Sequence, residues 1–389
     1  MKKTIALLGI STVLLTLPAA SAGSSAWSPS AAGWASGPVR HVGTVPLETG
    51  AAVGGAVHEG HLYVSTWRSF SIYDVSVPEA PRHLSTTPLG FQFINEGPAT
   101  NGETLLLMQD SPTRVLHVWD VSNKRAPREL VAFPITQAPD HVWTCVLDCA
   151  YAYGSGGSIV DLTDPAAPVR VGDWRSVAPA RVFHGIGEVA PGLVLTGSVP
   201  QHYLDARTTP ATPTVVATVE PPTTQFNFAV VTPPREAPVR YVDWPREGRS
   251  RIALTTIETP FSGSCNERSG SLVTYDTAGY RDTKTFAVAD VHRITRNGSP
   301  SEGFAPANGV GCSAIGLDAH PQWHRTPLVA VSWAEHGLRL FRVGNKGAIT
   351  EVGGFLGHGT EAFMPIWASE RILYSVDTSR GIDILEVAG

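Results

Sequence analysis

Two histidines and a glutamate occupy matching positions ahead of successive apolar segments. Glu96, His141 and His184 each lie nine residues before the start of such a segment, and Glu361 takes a similar place in the last one. Imidazole and carboxylate are common ligands of zinc, iron, manganese and copper, and the same groups suit acid–base catalysis. The spacing predicts a divalent-metal or small-ligand site. The alternative is that these side chains only keep a wet surface solvated.

Familiar catalytic motifs are absent from the sequence. It contains no G-x-S-x-G, no H-E-x-x-H, no P-loop and no G-x-G-x-x-G that opens a helix. The stretch "GSGGS", residues 154–158, is typical of a turn between two strands, because no helix pattern follows it to hold a phosphate. The sequence therefore favours a binding protein over an enzyme.

A short motif recurs along the chain and predicts its architecture. The stretches "IYDVSVPEAPRHL", "VWDVSNKRAPREL" and "IVDLTDPAAPVRV" align without gaps, with Asp74, Asp120 and Asp161 in register. An aspartate followed by serine or threonine can accept hydrogen bonds from nearby backbone N–H groups, and Ala-Pro restricts the chain before the next strand. We interpret the motif as a turn element and not as a catalytic one.

The repeat has the size of one β-propeller blade. Seven pairs of apolar strands recur with a period near 45 residues, and prolines interrupt the chain too often for a helical solenoid. The sequence predicts an all-β fold, a seven-bladed β-propeller. The stretch "RHVGTVPLE", residues 40–48, has no unit of its own, so we expect it to pair with the strand that contains Ile384–Val387 and to complete the last blade.

This architecture places the candidate residues at the central channel. The innermost strand of each blade begins at one mouth of the channel, so we expect Glu96, His141 and His184 to converge there, joined by Glu361. By contrast, His336 in the turn "AEHGLR" is interpreted as part of the opposite mouth.

The start of the chain is typical of an export signal. In "MKKTIALLGISTVLLTLPAASAGSSA" two lysines precede an apolar segment and the small residues Ala20-Ser21-Ala22, which predicts cleavage after Ala22. We therefore expect a signal peptide at 1–22, a flexible segment at 23–39 and one propeller domain at 40–389. The apolar segment is short for a membrane span and no second candidate follows, so we expect a secreted protein that reaches the cell surface only through a partner.

Charge and cysteine content restrict the partners and the compartment. The formal net charge of −5, without long basic runs, argues against nucleic acid and anionic membranes. Four cysteines in an exported chain predict two disulfides. Cys145 and Cys149 are close enough to pair across a tight turn, which leaves Cys265 with Cys312. The alternative for "CVLDC" is half of a metal site, but no second pair stands at zinc-ribbon spacing.

The segments "LYVSTWRSFSIYDVSVPEAP" and "ILYSVDTSRGIDILEV" resemble the LVIVD-repeat proteins, secreted or surface β-propellers of bacteria. The resemblance covers most of the chain and implies the propeller fold, but no general activity is assigned to this family. From this resemblance we expect related chains often to carry histidine after Cys-Ser-Ala, where this chain has Ile315. A site that used that imidazole would be incomplete here.

Two functions from different classes follow. The first is an exported propeller that acts as a binding or surface-interaction module for an unknown protein, glycan or small-molecule ligand. The second is a metal-dependent enzyme, of lyase or oxidase type, with a divalent metal at the channel mouth. No other cofactor is expected.

Overall fold

The computed structural model describes residues 28–47, 51–90, 97–110, 112–222, 225–226, 235–236, 239–245, 250–258, 265, 269–294 and 311–389. Within these ranges nearly all regular secondary structure is β-strand, apart from a 3-10 turn at Trp174–Ser176 and one short α-helix. None of the described helices has the length and apolar character needed to cross a membrane.

The strands form seven antiparallel blades of four strands each, which confirms the predicted seven-bladed propeller. The first three strands are β1 (Ser28–Ser30), β2 (Gly33–Ser36) and β3 (Val39–Val45). Blade one contains β4 (Ala52–His58), β5 (His61–Thr66), β6 (Ser69–Asp74) and β7 (Arg82–Pro88). Blade two contains β8 (Ala99–Thr100), β9 (Thr104–Gln109), β10 (Val115–Asp120) and β11 (Arg128–Pro134).

The same order continues through the middle of the ring. Blade three contains β12 (Trp143–Val146), β13 (Tyr151–Gly154), β14 (Ser158–Asp161) and β15 (Val169–Asp173). Blade four contains β16 (Val182–Ala190), β17 (Leu193–Val199), β18 (Gln201–Asp205) and β19 (Thr214–Val219). A separate two-stranded ribbon follows, formed by β20 (Gln225–Phe226) and β21 (Arg235–Glu236).

The last three blades complete the ring. Blade five contains β22 (Val239–Asp243), β23 (Ile252–Ile257), β24 (Ser271–Asp276), the helix α1 (Tyr280–Thr283) and β25 (Ala287–His292). Blade six contains β26 (Leu317–Ala319), β27 (Leu328–Ser332), β28 (Leu338–Val343) and β29 (Ile349–Gly357). Blade seven contains β30 (Ala362–Trp367), β31 (Ile372–Asp377) and β32 (Gly381–Val387), to which β3 is added.

The hydrophobic core lies between the blades. Seven clusters of buried apolar side chains each join two neighbouring blades. The second strand of a blade is buried along most of its length, as in β9 and β23, because its two faces both meet apolar neighbours. This explains why these strands are nearly continuous apolar runs in the sequence and do not alternate with polar residues.

The N-terminal strand closes the ring as expected from the sequence. Strand β3 pairs antiparallel with β32, from Val39 opposite Val387 to Val45 opposite Ile382. Blade seven is therefore built from both ends of the propeller, and β32 has no open edge.

A hairpin lies where the sequence predicted a flexible segment at 23–39. Strand β2 pairs with β29, so β1 and β2 extend blade six to six strands. Trp34 packs edge-on against His358 with ring centroids 4.7 Å apart. A β-carbon at Gly33 would lie 2.1 Å from the carbonyl oxygen of Leu356, so only glycine permits this close approach. Strands β1 and β2 have three and four residues, most of them small, so they show no strand pattern in the sequence.

The recurring aspartates build turns, as predicted. Each accepts a hydrogen bond from the backbone N–H two residues later, at distances of 2.9–3.0 Å in five blades: Asp74, Asp120, Asp161, Asp205 and Asp276. Because this bond closes a local turn after the third strand, it fixes where the fourth strand begins.

Both predicted disulfides are present. Cys145 and Cys149 join across the turn between β12 and β13, with α-carbons 4.3 Å apart. Cys265 and Cys312, 47 residues apart, join the connection after β23 to the segment before β26. The second bridge therefore ties blade five to blade six.

Candidate functional site

Antiparallel pairing within each blade gives the channel two different mouths. The innermost strands begin at one mouth, and the second strands end there; we call this the upper mouth. The innermost strands end, and the second strands begin, at the lower mouth. Side chains just before an innermost strand and just after a second strand therefore lie at the upper mouth.

Two of the predicted residues lie side by side at the upper mouth. His141 is two residues before β12, and His184 is the third residue of β16. Their ring centroids are 4.7 Å apart in an edge-on arrangement. Asp110, directly after β9, places Oδ2 2.5 Å from Nδ1 of His141. The shared nine-residue spacing thus corresponds to neighbouring positions in blades three and four.

A buried ion pair continues this contact chain into blade five. Nε2 of His184 is 3.9 Å from Oε2 of Glu258, and Nη1 of Arg240 is 2.7 Å from Oε1 of the same carboxylate. Arg240 is 3% exposed and Glu258 is 6% exposed. The Arg240 guanidinium also lies over the ring of Phe363 from blade seven, 5.2 Å from its centroid. At the upper mouth this contact chain therefore combines two imidazoles, two carboxylates and a guanidinium.

Sequence reasoning missed three members of this contact chain: Asp110, Arg240 and Glu258. A signal for two of them exists. In blade two the motif residue Asp120 pairs with Thr104, and Asp110 lies six residues after Thr104. In blade five Asp276 pairs with Ile252, and Glu258 lies six residues after Ile252. In the sequence, the positions just before the innermost strands were compared across blades. The same comparison of the positions just after the second strands would have identified Asp110 and Glu258.

The other predicted site residues have different surroundings. Glu361 directly precedes β30 at the upper mouth, is buried, and accepts a hydrogen bond from the Thr378 hydroxyl at 2.6 Å. Glu96 lies outside the described residues. Ile315, where related chains were expected to have histidine, is fully buried.

The described residues contain one group of three metal-ligand atoms within 4.8 Å of one another, and it is not the predicted one. It consists of Cys265, Cys312 and His336, and both sulfurs form the disulfide. Nε2 of His336 is 3.2 Å from Sγ of Cys265, and burial, with the charge of Arg339, lowers the pKa of His336 to about 4. The interpretation of His336 as part of the opposite mouth was wrong, because the turn after a second strand lies at the upper mouth.

Two carboxylates lie on neighbouring innermost strands below the upper mouth. Burial raises the pKa of Asp243, in β22, to about 7 and that of Asp318, in β26, to about 8, and the charge of Asp243 adds to the second shift. Oδ2 of Asp318 accepts the backbone N–H of Trp367 in blade seven at 2.7 Å. The fold therefore favours the protonated form of both groups.

A pH dependence of stability follows from these two carboxylates. Their pKa values are higher in the folded chain than the roughly 3.9 of an unfolded aspartate, so the folded state binds more protons. Stability should be greatest below about pH 4 as far as these groups are concerned, and should fall as the pH rises through about 7 to 8. Asp318→Asn removes part of this dependence. We expect its melting temperatures at pH 5 and pH 9 to differ less than those of the unchanged protein.

The control for this experiment is Asp282→Asn at an exposed position of α1, which should leave the pH dependence as it is. Equal pH dependence in the Asp318→Asn variant and the unchanged protein would contradict the assignment.

Comparison with known proteins supports the fold alone. No model of a known protein family and no curated protein matches the sequence, so the resemblance to LVIVD-repeat proteins stays a prediction. The β-propeller domain of Cps50 (Swd1) from Myceliophteria thermophila is similar in structure, with a TM-score of 0.59 and 14% identity over 89% of this chain and all of that one.

Two further solved structures are similar at the same level. U3-55K has a TM-score of 0.59 and 9% identity, over 90% of this chain and 98% of that one. A chain of a mitotic checkpoint complex has a TM-score of 0.56 and 13% identity, also over 90% and 98% of the two chains. Identities this low carry no information about ligand or activity.

Proposed function

We propose that this protein is an exported β-propeller that acts as a binding module, with the upper mouth as its binding surface. The observation that carries the proposal is the contact chain from Asp110 through His141, His184 and Glu258 to Arg240. It brings groups from blades two to five together at one mouth, where Asp110, His141 and His184 are partly exposed and the Arg240–Glu258 pair is buried beside them. None of these side chains is a serine, threonine or cysteine nucleophile.

Two further features support the proposal. The leader-like residues 1–22 and the two disulfides are both typical of a protein that works outside the cytoplasm. One of the structures with a similar fold belongs to a complex, the mitotic checkpoint complex, which shows that propellers of this size are used in assemblies. The partner class remains a protein, a glycan or a small molecule, reached at the upper mouth.

The second candidate is a metal-dependent enzyme, which the adjacent rings of His141 and His184 favour. Asp110 bonded to Nδ1 of His141 is also the carboxylate–histidine arrangement that orients metal ligands. Glu96 and Glu361 would be further ligands. Against it, Glu258 is already held by Arg240, and the one group of three ligand atoms among the described residues contains the two sulfurs of a disulfide.

Elemental analysis of the mature protein separates the two candidates. A binding module should carry no stoichiometric zinc, iron, manganese or copper. A stoichiometric metal that is lost in His184→Ala, and that dissociates as the pH falls through about 6.5, would favour the enzyme, because protonated imidazole cannot bind metal.

The binding function itself can be tested on arrays of immobilised glycans and peptides probed with the labelled mature protein. We expect a ligand class that is retained by the unchanged protein and bound at least about tenfold more weakly by His184→Ala, since a charged or hydrogen-bonding contact is lost. The matched control is His83→Ala, on the exposed outer strand β7 of blade one. Equal binding by the two variants would contradict a site at the upper mouth.

A further inference from the structure

The disulfide between Cys265 and Cys312 has an imidazole packed against it. Nε2 of His336 lies 3.2 Å from Sγ of Cys265, and the three ligand atoms all lie within 4.8 Å of one another. The cluster joins two blades, because Cys265 follows β23 of blade five, Cys312 precedes β26 of blade six, and His336 is in the turn after β27. Two sulfurs and an imidazole nitrogen are thus gathered at one point between the blades.

The disulfide itself does not explain the imidazole. Cysteine sulfur is a weak hydrogen-bond acceptor, so a contact between Nε2 and Sγ contributes little as a hydrogen bond. Two thiolates and an imidazole, by contrast, form a donor set that is typical of zinc sites in proteins. The cluster therefore holds a metal-binding capacity that its oxidised form does not use.

The turn that carries the histidine is held by its own hydrogen bonds. The backbone N–H of His336 donates to the carbonyl of Trp333 at 2.8 Å, and the carbonyl of His336 accepts from Nε of Arg339 at 3.1 Å. Arg339 is 2% exposed, and Nη1 of its guanidinium lies 3.0 Å from the carboxylate of Glu351. None of these bonds involves the bridge, so they hold the imidazole in place whether or not the two sulfurs are joined.

The cysteines are positioned to become zinc ligands once the bridge is reduced. With Zn–S distances of about 2.3 Å and Zn–N distances of about 2.0 Å, the ligand atoms of a tetrahedral site lie roughly 3.5–3.8 Å apart. Nε2 of His336 and Sγ of Cys265 are already near that separation. The two sulfurs must move apart, and rotation about the side-chain torsions can achieve this on α-carbons that are 5.2 Å apart.

We propose that reduction converts this bridge into a zinc site formed by Cys265, Cys312 and His336. A dithiol reductant gives two electrons and two protons to the bridge and leaves as a cyclic disulfide. It reaches the bridge at Cys265, which is 6% exposed, whereas Cys312 is 0% exposed. Zn²⁺ then displaces both thiol protons into the solvent and forms two Zn–S bonds and one Zn–N bond, with water in the fourth position.

Zinc takes over the structural role of the disulfide. The oxidised bridge ties the connection after β23 to the segment before β26, and bound zinc makes the same tie and adds the turn of His336 to it. Blades five and six thus stay joined in oxidising and in reducing surroundings. The site does not depend on the binding function proposed for the contact chain. The oxidised protein carries no zinc here, so the elemental analysis proposed above keeps its meaning.

Zinc titration of the reduced mature chain tests the site. A phosphine reductant opens the disulfides without adding a thiol that competes for zinc, and a chromophoric chelator reports the free metal. We expect the reduced chain to bind zinc at least about 100-fold more tightly than the oxidised chain, because only thiolates bind the ion. A zinc affinity that is the same in both redox states would overturn the proposal.

The other disulfide requires a control, since its reduction also frees two thiols. Cys145→Ser with Cys149→Ser leaves Cys265 and Cys312 as the only cysteines of the chain. We expect this reduced variant to bind zinc as the unchanged chain does, and Cys265→Ser with Cys312→Ser to lose the tight binding. The opposite pattern would assign the zinc to the wrong pair and contradict the proposal.

His336→Ala tests the third ligand. Loss of one ligand of three should weaken zinc binding to the reduced chain at least about tenfold, and His336→Cys should restore it, because a thiolate can replace the imidazole. The matched control is His324→Ala, at an exposed position of blade six, which should bind zinc normally. If His336→Ala binds zinc as tightly as His324→Ala does, the imidazole is not part of the site.

Thermal melting tests the proposed tie between the blades. Zinc that binds only the folded, reduced chain should raise the melting temperature of that chain and leave the melting temperature of the oxidised chain unchanged. The rise should be smaller in His336→Ala than in the unchanged protein. Equal melting of the reduced chain with and without zinc would show that the ion does not replace the disulfide.

Discussion

A chain that lacks the first 48 residues is expected to be insoluble, or to survive only as an oligomer. The truncation removes β3 and leaves the whole of β32 with unpaired backbone groups and uncovered apolar side chains. Open edges of this length invite pairing with other chains. The expected loss is a large part of the roughly 5–15 kcal/mol by which folded proteins are stable. Thermal melting and size-exclusion chromatography of the truncated protein measure it.

A second truncation, which removes only residues 1–36, is the control. It deletes the hairpin β1–β2 from blade six but keeps β3, so every blade retains four strands. We expect this chain to stay monomeric and to melt only slightly below the full one. Closely similar melting of the two truncated chains would show that β3 does not close the ring.

Glu258→Gln is expected to destabilise the protein by about 3–5 kcal/mol, because it removes the negative charge that lies 2.7 Å from the buried guanidinium of Arg240. Replacement of both partners, Arg240→Met with Glu258→Leu, should recover most of this loss, since neither charge of the pair then remains buried. Urea unfolding of Arg240→Met, Glu258→Leu and the double variant gives the coupling energy directly.

The exposed pair between Arg128 and Asp120 provides the comparison. Its atoms are 3.4 Å apart and Arg128 is largely in water, so Arg128→Ala should change stability by less than about 1 kcal/mol. If Glu258→Gln proves as mild as Arg128→Ala, the pair at the upper mouth is not buried in the way described.

The fold could be predicted because its signals are local and repeated. Each Asp74-like turn is encoded within three residues, and it recurs at the same place in five of the seven repeated units. Closure by β3 could be predicted because residues 40–48 look like a strand that belongs to none of the seven repeated units. The hairpin β1–β2 could not be predicted in the same way, because its place on blade six depends on a glycine contact with a strand more than 300 residues later.

The candidate site could be predicted only in part. His141 and His184 were identified because equivalent positions in adjacent blades become neighbours in space. Arg240 escaped notice because its importance depends on burial and on its pairing with Glu258, which the sequence does not display.

The most direct test of the binding function is a crystal structure of the mature protein with the ligand class that the arrays identify. The account predicts that the ligand lies at the upper mouth, within hydrogen-bonding distance of His141 or His184 and beside the Arg240–Glu258 pair. A ligand seated on the outer strands of the blades, with the upper mouth filled only by water, would contradict it.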